Sequence, residues 1–190
     1  MLAASAALGH DLITPEAAER YVAQAQQNVA IIASRDPAPR RAAANVALGR
    51  DLDEVRELLN RDIASHGKVQ GLPSNLLIAR LKAVGAPLPW SDSLGRYAAP
   101  VGYYQAALEL DPNGRLANEA IYGYLYGTFY DGFRDDPLQP LTRDAALLRT
   151  QLDLGERFVR LFPRDRNLEE VKFITAVLYV RAARDGGPDA

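Results

Sequence analysis

The chain has 190 residues, no cysteine and a formal net charge of −2 at pH 7. Without cysteine it has no disulfides, no thiolate metal ligands and no cysteine nucleophile. A charge so close to zero provides no field for holding nucleic acid or an anionic membrane, so we expect neither partner. No apolar run reaches the roughly 20 residues that span a bilayer, so no transmembrane segment is expected.

The compartment and the oligomeric state stay open. The first residues contain Ala4, Ser5 and Ala6, a small-residue pattern that resembles the end of a secretory signal. The same residues also read as the frayed start of an alanine-rich helix. The protein is therefore expected to be either periplasmic, with its signal removed, or cytoplasmic.

Helix-start and helix-stop signals organise the first part of the chain. Thr14 followed by Pro15 predicts a helix that extends to about residue 34. Residues 40–48 read as a short alanine-rich helix that Gly49 closes. Asp51 then begins a capping box, which predicts a separate helix over residues 52–66.

A proline-rich connector follows the next predicted helix. Ser74 is expected to cap that helix and Gly85 to end it. Residues 86–90 contain two prolines and the single tryptophan, and they mark a boundary between residues 1–89 and 90–190. We expect these two helical halves to form one continuous domain, with Trp90 packed across the boundary.

The second half reads as four helices bounded by prolines and capping residues. Their predicted ranges are 100–110, 115–133, 143–162 and 168–184, with Thr142 as the cap of the third. No segment alternates with the period of a strand. The whole chain is therefore predicted to be all-α, with seven or eight helices in consecutive antiparallel hairpins and no sheet.

A weak internal repeat is present in the second half. Aligning Pro112 with Pro163 places one helix, proline turn and helix on another at an offset of 51 residues, and Glu119 then falls on Glu170. Repeated helix pairs are typical of α-solenoids, in which each pair packs on its neighbours.

Two stretches carry a family resemblance. The first resembles the second helix of a tetratricopeptide repeat, through Tyr104, Ala107, Leu108 and Pro112. The second is similar to the repeats of bacterial outer-membrane assembly lipoproteins, through Phe158, Phe162, Pro163, Ala176 and Tyr179. The resemblance implies a degenerate tetratricopeptide-like α-solenoid. It also implies a non-enzymatic interaction or scaffold module of a bacterial assembly or envelope complex, with a protein or peptide partner and no cofactor.

An aromatic stripe runs along the predicted helix over residues 115–133. Tyr122, Tyr126, Phe129 and Phe133 share one face, which is read either as core packing or as a groove for a peptide. Tyrosines beside the stripe are better placed for a surface site. The predicted partner-binding residues are Tyr103, Tyr104, Tyr124, Tyr126 and Tyr130.

Two glycines interrupt the same helix. Gly123 and Gly127 each cost about 1 kcal/mol relative to alanine in a helix interior. Close approach of a neighbouring helix would offset that cost, so these positions predict tight packing.

An enzyme is the alternative from a different class. An all-α phosphohydrolase or diphosphate-binding enzyme that depends on magnesium or manganese would use carboxylate clusters, and the candidate ligands are Glu16, Glu19, Glu54, Glu57, Asp131 and Asp135. The four glutamates lie in first turns of predicted helices, where the helix dipole already favours them. The two aspartates lack a second pair on a facing helix. The sequence therefore favours the binding module.

Overall fold

A computed structural model describes residues 13–132 and 145–184. In these ranges the chain forms seven helices and one short antiparallel ribbon, so the protein is all-α, as predicted. The elements are α1 Pro15–Ala33, α2 Ala38–His66, α3 Leu72–Ala83, β1 Trp90–Ser91, β2 Arg96–Tyr97, α4 Val101–Leu110, α5 Ala117–Gly132, α6 Ala145–Leu161 and α7 Leu168–Arg184. The predicted cap at Thr142, together with Phe133 and Asp135, lies outside the described residues.

The N-terminal helices share one core. Thr14 caps α1 as predicted, since its hydroxyl oxygen accepts a hydrogen bond from the Ala17 N–H at 3.2 Å. The inner face of α1, around Tyr21 and Val22, packs with α2 and α3. From these two helices the core takes the residues Leu48, Leu52, Val55, Leu59, Leu77 and Leu81.

The expected helix break at Gly49 is wrong, because α2 is one continuous helix from Ala38 to His66. Gly49 is buried inside it, where a Cβ would lie only 2.9 Å from Cε1 of Tyr104. One interior glycine costs about 1 kcal/mol. The buried leucines on either side, Leu48 and Leu52, favour continuing the helix by more than that.

The predicted start of α3 is also displaced. The helix begins at Leu72, with Pro73 in its first turn, and Ser74 is buried inside the helix and is not its cap. Gly71 precedes the helix with a positive φ of 79°, which glycine adopts without strain.

The connector forms a small ribbon where no strand was expected. Trp90 pairs with Tyr97 and Ser91 with Arg96 in two antiparallel strands. The Trp90 indole meets the Tyr97 ring edge-on at 5.1 Å and remains half-exposed, so the tryptophan packs on the ribbon itself.

A side chain of α2 fixes this ribbon. Asn60 donates from Nδ2 to the Tyr97 carbonyl at 2.8 Å, and its Oδ1 accepts from the Tyr97 N–H at 2.9 Å. We expect Asn60→Ala to lower the free energy of unfolding by about 1–3 kcal/mol, because both backbone groups lose their partner. Urea unfolding measures this loss. Asn75→Ala, at an exposed asparagine, is the control and should change stability by less than about 0.5 kcal/mol; an equal effect of both would contradict the expectation.

The internal repeat recurs in the backbone of the two C-terminal hairpins. The loops over residues 111–116 and 162–167 have equal lengths at the offset of 51 residues. In the first loop, the Gly114 N–H donates to the Asp111 carbonyl at 3.2 Å. In the second, the Asp165 N–H donates to the Phe162 carbonyl at 3.0 Å. The same turn therefore closes both hairpins.

Glycines allow the helices of this half to approach closely, as predicted for Gly123 and Gly127. A Cβ on Gly123 would lie 2.5 Å from Cζ of Tyr104, and one on Gly127 would lie 2.7 Å from the Val101 side chain. Successive contacts run from α2 to α4, from α4 to α5, and from α5 to α6 and α7. Within residues 13–132 and 145–184, no helix combines the length and apolar character needed to cross a membrane.

Candidate functional site

An open cleft of about 270 Å³ lies where α2, α5 and the loop before α7 meet, and we call it the tyrosine cleft. One wall is a single face of α2, because its residues are spaced as neighbours along a helix. The floor comes from α5, and the opposite wall comes from the loop. The lining residues are Val46, Arg50, Asp53 and Glu57 of α2, Tyr104 of α4, Glu119, Tyr122, Gly123 and Tyr126 of α5, and Arg166 and Asn167 of the loop.

Three tyrosines form a ladder along α5. The ring centroids of Tyr122 and Tyr126 are 5.6 Å apart, and those of Tyr126 and Tyr130 are 4.5 Å apart. Glu170 of α7 fixes both ends, since it accepts hydrogen bonds from the Tyr122 hydroxyl at 3.3 Å and the Tyr130 hydroxyl at 3.0 Å. The Tyr126 hydroxyl, in the middle, has no hydrogen-bond partner among the described residues.

The ladder lies in a negative electrostatic environment. Burial, together with its hydrogen bond to Glu170, raises the pKa of Tyr130 to about 12. Burial also raises the pKa of Tyr126, and the charges of Glu57 and Glu170 raise it further. The phenols are therefore neutral at physiological pH and keep the proton with which a hydroxyl donates a hydrogen bond.

Arg56 organises the carboxylates beneath the α2 wall. This buried guanidinium lies 2.9 Å from Asp53, 3.6 Å from Asp131 and 4.0 Å from Glu57. Asp53 also accepts a hydrogen bond from the Tyr104 hydroxyl at 2.9 Å. Burial raises the pKa of the Asp53 carboxyl even though Arg56 lowers it. The single guanidinium of Arg56 is thus the ion-pair partner of three carboxylates.

Asp131, a candidate metal ligand in the sequence, is engaged by the protein itself. Its carboxylate accepts a hydrogen bond from the Ala99 N–H and lies 3.6 Å from both Arg56 and Arg96. Two nearby guanidiniums suit a structural ion pair and would repel a cation.

The other candidate metal ligands lie apart from Asp131. Glu16 and Glu19 are on α1, where Glu19 forms a two-pronged ion pair with Arg80 of α3. Glu54 and Glu57 are both on α2, and only Glu57 lines the tyrosine cleft. Across the two described ranges, no group of three or more histidine, aspartate or glutamate residues is placed to hold a metal ion.

The five predicted partner-binding tyrosines lie in three different environments. Tyr104 and Tyr124 are only 4% and 7% exposed, so the expectation that they lie at the surface is wrong. Helices α4, α6 and α7 all contact α5, which leaves Tyr124 on its flank buried, whereas Tyr122 and Tyr126 of the stripe line the cleft. Tyr126 and Tyr130 belong to the ladder. Tyr103 is partly buried and lines a separate pocket of about 440 Å³ beside the prolines of the connector.

Several cleft residues were not identified from the sequence as a binding site. Arg50 and Glu119 lie across from each other at 3.8 Å, and Arg166 and Asn167 come from the loop. A prediction of one continuous helix over residues 38–66 would have placed the lining residues of α2, from Val46 to Glu57, on one face. The loop residues carry no such local signal, since only the packing of α7 on α5 brings them to the cleft.

No protein-family model, curated protein or solved structure matches the chain. The fold and the cleft define its class, an all-α protein with an open groove lined by tyrosines and by charges of both signs.

Proposed function

We propose that the protein is a non-enzymatic binding module that holds a segment of another protein in the tyrosine cleft. The observation that carries this proposal is the tyrosine ladder, of which Tyr122 and Tyr126 lie on the cleft floor. Glu170 fixes the outer two hydroxyls of the ladder, and the central hydroxyl has no hydrogen-bond partner among the described residues. Tyrosine rings offer a large contact area and lose few rotamers on binding.

The charged side chains at the rim of the cleft also support binding of a protein segment. Arg50, Glu119 and Glu57 have side chains that are 66%, 38% and 50% exposed. Exposed charges of both signs around an aromatic floor are the usual arrangement of a protein interface, where they set register and specificity. Because the cleft is open, an extended or helical segment can enter from the side.

The tetratricopeptide-like α-solenoid is part of this proposal. Its support is the recurrence of the same helix, turn and helix at an offset of 51 residues, together with the successive packing of α4 to α7. On this basis the module serves as a scaffold in a bacterial assembly or envelope complex. No observation favours the metal-dependent enzyme, since Asp131 and Glu19 are held by arginines.

Selection of random linear peptides displayed on phage tests the proposal. We expect selected peptides to bind the wild-type protein and to lose about tenfold or more in affinity with Tyr126→Ala, because the central ring is removed from the floor. Tyr179→Ala is the matched control, since it removes a partly exposed tyrosine of α7 whose hydroxyl donates to Glu156, outside the cleft. Affinity is measured by isothermal titration calorimetry.

Circular dichroism of each variant first establishes that its helices are intact. Peptides that bind wild type and Tyr126→Ala equally would place the site elsewhere and contradict the proposal. A selection without any enriched peptide would also contradict it.

A further inference from the structure

Building on the proposed binding function, we propose that the tyrosine cleft selects a protein segment with an arginine or lysine side chain. The cation lies on the Tyr126 ring beside the carboxylate of Glu57, where the charge of Glu170 also acts. The cleft is thus a receptor for a basic side chain at one end.

An excess of negative charge near Tyr126 is the first argument. The charged groups that act on its hydroxyl include the carboxylates of Glu57, Glu170 and Asp53 and the guanidinium of Arg56. Arg56 is already shared among three carboxylates and lies nearest to Asp53, at 2.9 Å. Glu57, at 4.0 Å from Arg56 and half-exposed, keeps most of its capacity to bind a second cation.

The rings are the second argument. A guanidinium or ammonium is attracted to the face of a tyrosine within about 6 Å of its centroid. Tyr126 lines the cleft and has a tyrosine on either side, at 5.6 Å and 4.5 Å. Its hydroxyl oxygen, without a partner in the described part of the chain, can also accept a hydrogen bond from the cation.

The opposite end of the cleft differs in charge, which gives a bound segment a direction. Arg50 lies two helical turns before Glu57 on α2, about 10 Å away at 1.5 Å per residue. It faces Glu119 at 3.8 Å and is 66% exposed, and Arg166 lines the same cleft. A basic residue at the Tyr126 end and an acidic or polar residue towards Arg50 would complement both ends.

Titration with N-acetyl-arginine N-methylamide tests the inference without a known partner. We expect saturable chemical-shift changes at the ladder tyrosines in NMR spectra, with millimolar affinity. The citrulline analogue has nearly the same shape but no charge, and it should bind at least about fivefold more weakly. Tyr126→Phe, which keeps the ring, should retain more of the affinity than Tyr126→Leu.

Removal of one carboxylate provides the matched comparison. Glu57→Gln should weaken binding of the arginine probe about threefold to fivefold. Glu109→Gln is the control, because Glu109 is an exposed carboxylate of α4 that contacts Gln105 and does not line the cleft. It should leave the affinity unchanged.

Equal binding of the arginine and citrulline probes, no binding of either, or an equal effect of the two glutamine variants would overturn the inference. The display experiment separates this failure from failure of the proposed function. Selected peptides that depend on Tyr126 but show no enrichment of arginine or lysine would overturn the cation preference and leave the binding module standing. Absence of any selected peptide would instead contradict the binding module.

Discussion

Phe158→Ala is expected to lower the free energy of unfolding by about 3–5 kcal/mol, because it removes a fully buried ring from a three-helix junction. Phe158 of α6 is 0% exposed and packs with Ile121 and Leu125 of α5 and Val171 of α7. The cavity would open where the two C-terminal hairpins meet, so neighbouring residues could fill it only by shifting whole helices.

Urea unfolding followed by circular dichroism measures the loss caused by Phe158→Ala. Phe173→Ala is the matched control, since Phe173 lies on α7 but is 55% exposed and meets Phe129 only edge-on, at 6.3 Å. It should cost less than about 1 kcal/mol. A cost below 1 kcal/mol for Phe158→Ala would show that the α5–α6–α7 junction is not a tightly packed core.

The positions of helix ends and turns were predictable where they depend on residues close together in the sequence. The cap at Thr14, the proline before α4 and the 51-residue repeat of the proline turns depend on chemistry within a few residues of the chain. The prediction failed at Gly49, where a weak local preference is opposed by burial of the helix on α1 and α4. The sequence does not distinguish a glycine that ends a helix from a glycine that makes room for a neighbouring aromatic ring.

The candidate site was predictable only in part, for a related reason. Periodicity placed Tyr122 and Tyr126 on one face of α5, and it could not tell whether that face meets a helix or an open cleft. Tyr104 and Tyr124 were expected at the surface because they lie off the stripe, but both are buried, and Tyr104 packs against glycines of α2 and α5. Glu170 shows the same limit, since its hydrogen bonds to two tyrosines of α5 span at least 40 residues.

Tyr104 links the packing of the helices to the wall of the tyrosine cleft. Its ring fills the space left by Gly49 of α2 and Gly123 of α5, and its hydroxyl donates to Asp53. Asp53 in turn pairs with Arg56, the cation beneath the α2 wall. A change in the position of this ring therefore alters both the helix packing and the charges that face a ligand.

Gly123→Ala is accordingly expected to lower the free energy of unfolding by about 1–3 kcal/mol. The new Cβ would lie 2.5 Å from Cζ of Tyr104. Gly49 of α2 also approaches the ring closely, since a Cβ at that position would lie 2.9 Å from Cε1 of Tyr104. The ring thus has little room to retreat. The helix propensity of alanine favours the substitution by about 1 kcal/mol, which offsets only part of the overpacking.

A double-mutant cycle with Tyr104→Leu isolates this clash. Leucine lacks the outer ring atoms, so Gly123→Ala in that background should become neutral or stabilise the protein by up to about 1 kcal/mol. Gly102→Ala is the control, because no atom lies within 4 Å of its Cβ position, and it should stabilise α4 by about 0.5 kcal/mol. If Gly123→Ala destabilises both backgrounds equally, its cost does not come from Tyr104. A reversal of sign would show that the cost of Gly123→Ala comes from its clash with Tyr104, so that Gly123 is needed to accommodate this ring.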